Sequence, residues 1–164
     1  MHESVLKAFN AQIRHELDSA YIYLAMSAHF EAANLPGFAR WMRLQAREEL
    51  GHAMKLFDHV TVRGGRVTLQ AIAQPPAEFG SPLSVFETAL SHERKVTGLI
   101  EQLYETAAAS KDHAAQIELQ WFITEQVEEE KSAGDVVQQL RMVGDNPAAL
   151  LMLDRQLGSR TGSD

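Results

Sequence analysis

The chain has 164 residues, 45% of them hydrophobic and 23% charged, with no cysteine and a formal net charge of -7. That is one domain with the balance of a globular helical protein, and the lack of thiols excludes disulfides, thiolate metal sites, iron–sulfur clusters and Cys nucleophiles. The acidic balance argues against a nucleic-acid partner and favours cations. The opening stretch MHESVLKAFN has neither the pattern of a secretory signal nor that of a membrane span, so a cytoplasmic chain with no membrane partner is expected.

In chain order, Ser4 is placed to cap a first helix over about 5–33, ended by Asn34-Leu-Pro-Gly. Its seam steps by three and four through Leu6, Phe9, Ile13, Glu16, Ala20, Tyr23, Ser27 and Phe30, with Glu16 where a Leu belongs. A second helix, about 36–64, opens on Pro36 and stops at Gly64-Gly65. Its seam reads Phe38, Met42, Gln45, Glu49, His52, Leu56, His59, again polar at the centre.

The stretch from Arg66 to Gly80 holds two prolines and no helical period, and reads as a connection. Ser81-Pro82 caps and opens a third helix, about 82–109, with the seam Leu83, Phe86, Leu90, Glu93, Thr97, Ile100, Tyr104. A fourth, about 113–144, carries Leu119, Phe122, Gln126, Glu129, Ala133, Val136, Leu140 and Val143. Asn146-Pro147 opens a short fifth, about 147–157, and RTGSD is a tail. Helices of about 28 residues span about 42 Å, and about 15 extended residues reach about 50 Å. The connection can therefore cross a full helix length. The expected fold is all-α, a single domain over 1–164: a four-helix bundle with one long crossover between helices two and three and a short fifth helix.

Glu49 and His52 lie slightly less than one turn apart, so carboxylate and imidazole can point at one spot. An offset of 77 residues carries Glu16, Glu49 and His52 onto Glu93, Gln126 and Glu129, and His15-Glu16 onto His92-Glu93. Two hairpins related by a pseudo-twofold axis would bring these groups to one level of the core. Burying four unpaired carboxylates there costs several kcal/mol each, whereas two divalent cations would balance their charge. Oxygen-rich ligands with one imidazole suit iron, manganese or zinc. The alternative is a hydrogen-bonded, partly protonated polar core.

At these residues the chain resembles the ferritin-like di-iron carboxylate proteins, and among them the bacterial non-haem ferritins. The likeness covers nearly the whole chain, including the crossover and fifth helix. It implies that Glu16, Glu49 and His52 hold one iron and that Glu49, Glu93 and Glu129 hold a second, with Glu49 bridging and Gln126 beside the second. It also implies a third iron near Glu48, Glu125, Glu128 and Glu129, and a hydrogen bond from Tyr23 to the site with an electron supplied during oxygen reduction. Bacterioferritin and the rubrerythrins repeat Glu-x-x-His on the fourth helix. Here Gln126-x-x-Glu129 stands instead, so the two irons should be inequivalent, and Leu50 after the bridging Glu makes haem unexpected.

The implied activity is an iron-storage ferroxidase that oxidises Fe(II) with dioxygen or peroxide and stores ferric oxyhydroxide inside a homo-oligomeric shell of 24 subunits. The rivals are a non-storage di-iron oxidase or peroxidase and a non-catalytic metal-binding bundle. Trp121 reads equally as core or site, and His2, His29, His59 and His113 read as surface or packing residues. Gly51, within the second helix, has no account in the sequence.

Overall fold

The structure, a computed structural model, describes residues 1–160; apart from Arg160 the expected tail lies outside the described residues. Five helices follow in order: α1 (Glu3–Ala32), α2 (Pro36–Val62), α3 (Pro82–Ala109), α4 (His113–Val143) and α5 (Pro147–Gly158). Short links join α1 to α2 and α3 to α4 as hairpins, and the long connection lies between α2 and α3. This is the all-α bundle with one crossover and a short fifth helix.

Local chemistry sets most of the boundaries. Ser81 accepts the Ser84 amide at the start of α3, Asp112 accepts the Ala115 amide at α4, and Asn146 accepts those of Ala148 and Ala149 at α5. At α1 the cap differs from expectation. The helix starts one residue before Ser4, and the His2 imidazole accepts the Ser4 amide at 3.3 Å. That register puts Glu3 in the first turn, where the helix dipole favours an acid. Asn34, Gly64, Lys111 and Gly144 take positive φ at the turns after the four long helices.

The crossover is fastened along α1. Asn10 donates to the Arg66 carbonyl at 3.2 Å and accepts the Thr68 amide at 2.7 Å. Asp18 accepts the Ala73 amide at 3.1 Å, and the His29 imidazole donates to the Gly80 carbonyl at 2.9 Å. From Asn10 to His29 is about 28 Å of helix, so the connection travels the bundle's length and α3 starts at the same end as α2.

Apolar packing falls into two clusters. One, around Tyr23, Phe30, Phe38, Met42 and Phe86, lies toward the α5 end; the other gathers Val5, Phe9, Leu56, Ile100 and Leu119. Between them Glu16, Gln45, Glu49, His52, Glu93, Gln126 and Glu129 are all buried. On the expected seams Leu6, Ala20, His59, Leu83, Leu90, Thr97, Tyr104 and Val143 are half-buried, because the buried stripe is wider than one residue per turn. No helix among the described residues is long and apolar enough to cross a membrane.

α5 docks on the start of α2. Leu35 gives α2 no side-chain cap, and Asp154 of α5 does so from outside, its Oδ1 accepting the Phe38 amide at 2.9 Å. The helices cross closely at Gly37, where a Cβ would stand 1.7 Å from the Asp154 carbonyl oxygen. A Cβ on Gly51 would meet nothing within 4 Å. Gly37→Ala should therefore undock α5 and cost about 1–3 kcal/mol, while Gly51→Ala should gain up to about 1 kcal/mol of helix stability. Urea titration of both variants checks the pair, and equal effects would contradict this account of the docking.

Candidate metal centre

Each of the four long helices contributes from the middle of its buried stripe: Glu16 from α1; Gln45, Glu49 and His52 from α2; Glu93 from α3; Gln126 and Glu129 from α4. Glu16, Glu49 and Glu93 are at most 1% exposed, so no solvent screens one charge from another.

The two hairpins treat their carboxylates differently. In the first, Gln12 donates to Glu16 Oε1 at 2.8 Å, but Glu16 Oε2 and both oxygens of Glu49 have no hydrogen-bond partner among the described residues. His52 Nδ1 lies 3.3 Å from Glu49 Oε2 without hydrogen-bond alignment. In the second, Tyr23 donates its hydroxyl to Glu93 Oε1, and Gln126 donates to Glu93 Oε2 at 3.3 Å and to its carbonyl at 3.2 Å. Gln45 donates to Glu129 Oε2 at 2.6 Å. Buried carboxylate oxygens left without donors are costly unless a cation meets them.

Burial and mutual repulsion show in the acidities. Burial pushes Glu93 up to about 7, against the donors Tyr23 and Gln126. Burial, then the charge of Glu93, pushes Glu129 up to about 8. Glu49 is raised well above the usual carboxylate range by burial, then by Glu93 and Glu16. The Tyr23 phenol is raised for the same reasons and stays a neutral donor. Behind it, the His92 imidazole stands edge-on to Tyr23 and shares a 2.7 Å hydrogen bond with Ser19. Burial draws His92 down to about 4, leaving it uncharged.

Among the described residues, two groups can offer ligand atoms within 4.8 Å of one another: Glu16, Glu49 and His52, all buried, and His52, Glu125 and Glu129. Carboxylate oxygens with one imidazole form a hard donor set that suits divalent first-row cations, and the three orphaned oxygens of Glu16 and Glu49 fit such an ion. Glu93 and Glu129 do not close with Glu49 into a third group, being held aside by Tyr23, Gln126 and Gln45.

The outer acids divide. Glu125 and Glu129, one turn apart, meet His52, whereas Glu128 is exposed and lies outside that group. Glu48 is half-buried and ion-paired with Arg160 at 2.9 Å. Trp121 is 40% exposed, packs edge-on to His52 and lies under the Lys55 ammonium. His59 stacks on Phe9, and His113 is exposed.

Three supporting residues of the site are not among those expected from the sequence: Gln12, Gln45 and Arg160. Gln12 stands one turn before Glu16, and Gln45 one turn before Glu49 on the same seam; both spacings were available as signals. Arg160, which donates to Gln45, had none.

A family model described as Ferritin-like domain matches residues 6–143. A bacterial non-heme ferritin of Bacteroides fragilis is 42% identical over 158 residues, which cover 96% of this chain and 98% of the relative. One of Staphylococcus aureus is 35% identical over 161 residues, 98% and 97% of the two chains. Among solved structures, an open pore ferritin from the hyperthermophilic archaeon Archaeoglobus fulgidus superposes with a TM-score of 0.97 at 49% identity, covering 98% of this chain and 99% of that one.

The raised carboxyl groups set a pH dependence. Each binds its proton more tightly in the folded chain than in the unfolded one, where the value is near 4.5. Their stability is therefore present in full below that value and is lost as pH rises through about 7 and 8. The melting temperature of metal-free protein should fall across this window, and excess divalent cation should flatten the slope. Thermal melts at several pH values check this, and a metal-free midpoint that rises with pH would contradict it.

Proposed function

The chain belongs to the ferritin-like family, and from that membership we propose that it is an iron-storage ferroxidase whose substrate is Fe(II). The observation that carries the reading is the buried layer of four carboxylates in which Glu16 and Glu49 keep oxygens without donors. One Fe(II) binds Glu16, Glu49 and His52. A second binds Glu49, Glu93 and Glu129 with Gln126 beside it, and Glu49 bridges the two. This second ion draws Glu93 from Tyr23 and Gln126, and Glu129 from Gln45, so the two positions are inequivalent. A third iron binds further out, among Glu48, Glu125, Glu128 and Glu129.

Each Fe(II) of the inner pair gives one electron to dioxygen. With two protons, two Fe(II) and one dioxygen become two Fe(III) and one hydrogen peroxide. Metal binding displaces protons from the raised carboxyl groups, since a ligating carboxylate must be ionised. Until the second ion arrives, Tyr23 holds Glu93 in place through its hydroxyl.

The ferric product collects as a hydrated oxide inside a shell of about two dozen subunits. Apolar side chains standing in solvent near the α4–α5 corner, Met142, Leu151 and Met152, support assembly, because a neighbouring copy would cover them. An oxidase without storage would share the metal pair and lack the shell.

Oxygen uptake with Fe(II) should fall more than about tenfold in Glu49→Ala and in His52→Ala, and rates equal to the unaltered protein would remove the ferroxidase reading. Light scattering should give about 440 kDa for two dozen chains of 18.3 kDa. A monomer or dimer mass would remove storage in a cage.

A further inference from the structure

Arg160 lies two residues beyond α5, and its side chain doubles back over α2. The guanidinium carbon is 5.1 Å from the Trp41 ring centroid. One nitrogen donates to Gln45 Oε1, and another donates to Glu48 Oε2 at 2.9 Å. Gln45 is fully buried and carries the connection inward through its 2.6 Å hydrogen bond to Glu129. A permanent positive charge is thus fixed one side chain away from the carboxylate layer. The close crossing at Gly37 and the Asp154 cap hold the helix that delivers it.

The donor arithmetic around His52 gives this charge a consequence. His52 belongs to both groups of potential ligands, yet a neutral imidazole has one lone-pair nitrogen and serves one metal at a time. When His52 serves the inner pair, an ion at Glu125 and Glu129 is left short of a third donor. Glu48 is near enough for its charge to act on Glu129, and it is the carboxylate that Arg160 engages.

We propose that Arg160 is a resident cation competing with a further divalent metal for Glu48, so that the metal binds beside Glu125 and Glu129 only as the guanidinium leaves. The inference rests on the ferroxidase reading, which takes His52 for the inner pair. Guanidinium has donors only and cannot share a metal's coordination sphere. Its departure frees Gln45 Oε1 and removes one tether from the end of α5, so occupancy of the outer position is read out at the chain's C-terminal helix.

The test is anaerobic calorimetry of the assembled protein with Zn(II), a redox-inert probe. Two tight equivalents per chain are expected, followed by a weaker one. Arg160→Gln should tighten the weaker class roughly fivefold, the scale of a partly exposed ion pair, and Glu48→Gln should abolish it. In the unaltered protein, amide hydrogen exchange over residues 153–160 should quicken once Zn(II) exceeds two equivalents. A weak class unmoved by Arg160→Gln, or one that survives Glu48→Gln, overturns the proposal, as does exchange insensitive to the extra metal. Absence of the two tight equivalents would instead sink the ferroxidase reading itself.

Discussion

Repulsion among carboxylates in a water-free layer is the constraint on which the rest of the molecule turns. Glu16, Glu49, Glu93 and Glu129 occupy one cross-section of the bundle, with apolar clusters above and below. Four charges at that level would oppose folding, and the tightened proton binding of Glu49, Glu93 and Glu129 expresses that opposition. The apolar clusters keep the helices together despite it. The polar layer is thus held ready for cations by packing that the layer itself does not supply.

The two hairpins repeat in sequence but not in chemistry. In the first, a cation can meet Glu16 Oε2 and both Glu49 oxygens without displacing any donor. In the second, Tyr23, Gln126 and Gln45 already satisfy the carboxylates. Under the proposed function these donors stabilise Glu93 and Glu129 while no metal is bound, and they give way when the second ion arrives. Arg160 repeats that logic further out, as a protein cation standing beside the acids that a metal would take.

Much of this was legible in the sequence because it follows from periodicity. Steps of three and four put Glu16, Glu49, Glu93 and Glu129 on buried stripes, and the segment after α2 is long enough for a crossover along the bundle. What stayed hidden depends on contacts between distant segments. Nothing near Arg160 says that it reaches Gln45, 115 residues away in sequence. Gly37 reads as an ordinary first-turn residue until α5 is laid across it. Among the acids of α4, spacing relates Glu125 to Glu129, but only the packing of α2 decides that this pair and not Glu128 meets His52. His2 displaced Ser4 as the α1 cap through a two-residue shift of the helix start that local preference did not resolve. Nothing in the structure explains Gly51.

Anomalous diffraction at the iron absorption edge, from crystals soaked in Fe(II) without oxygen, tests the central claim most directly. Two strong peaks should appear within the carboxylate layer, one bounded by Glu16, Glu49 and His52 and the other beside Glu93 and Glu129. A layer without iron, its carboxyl groups bonded to one another and to water, would contradict the account.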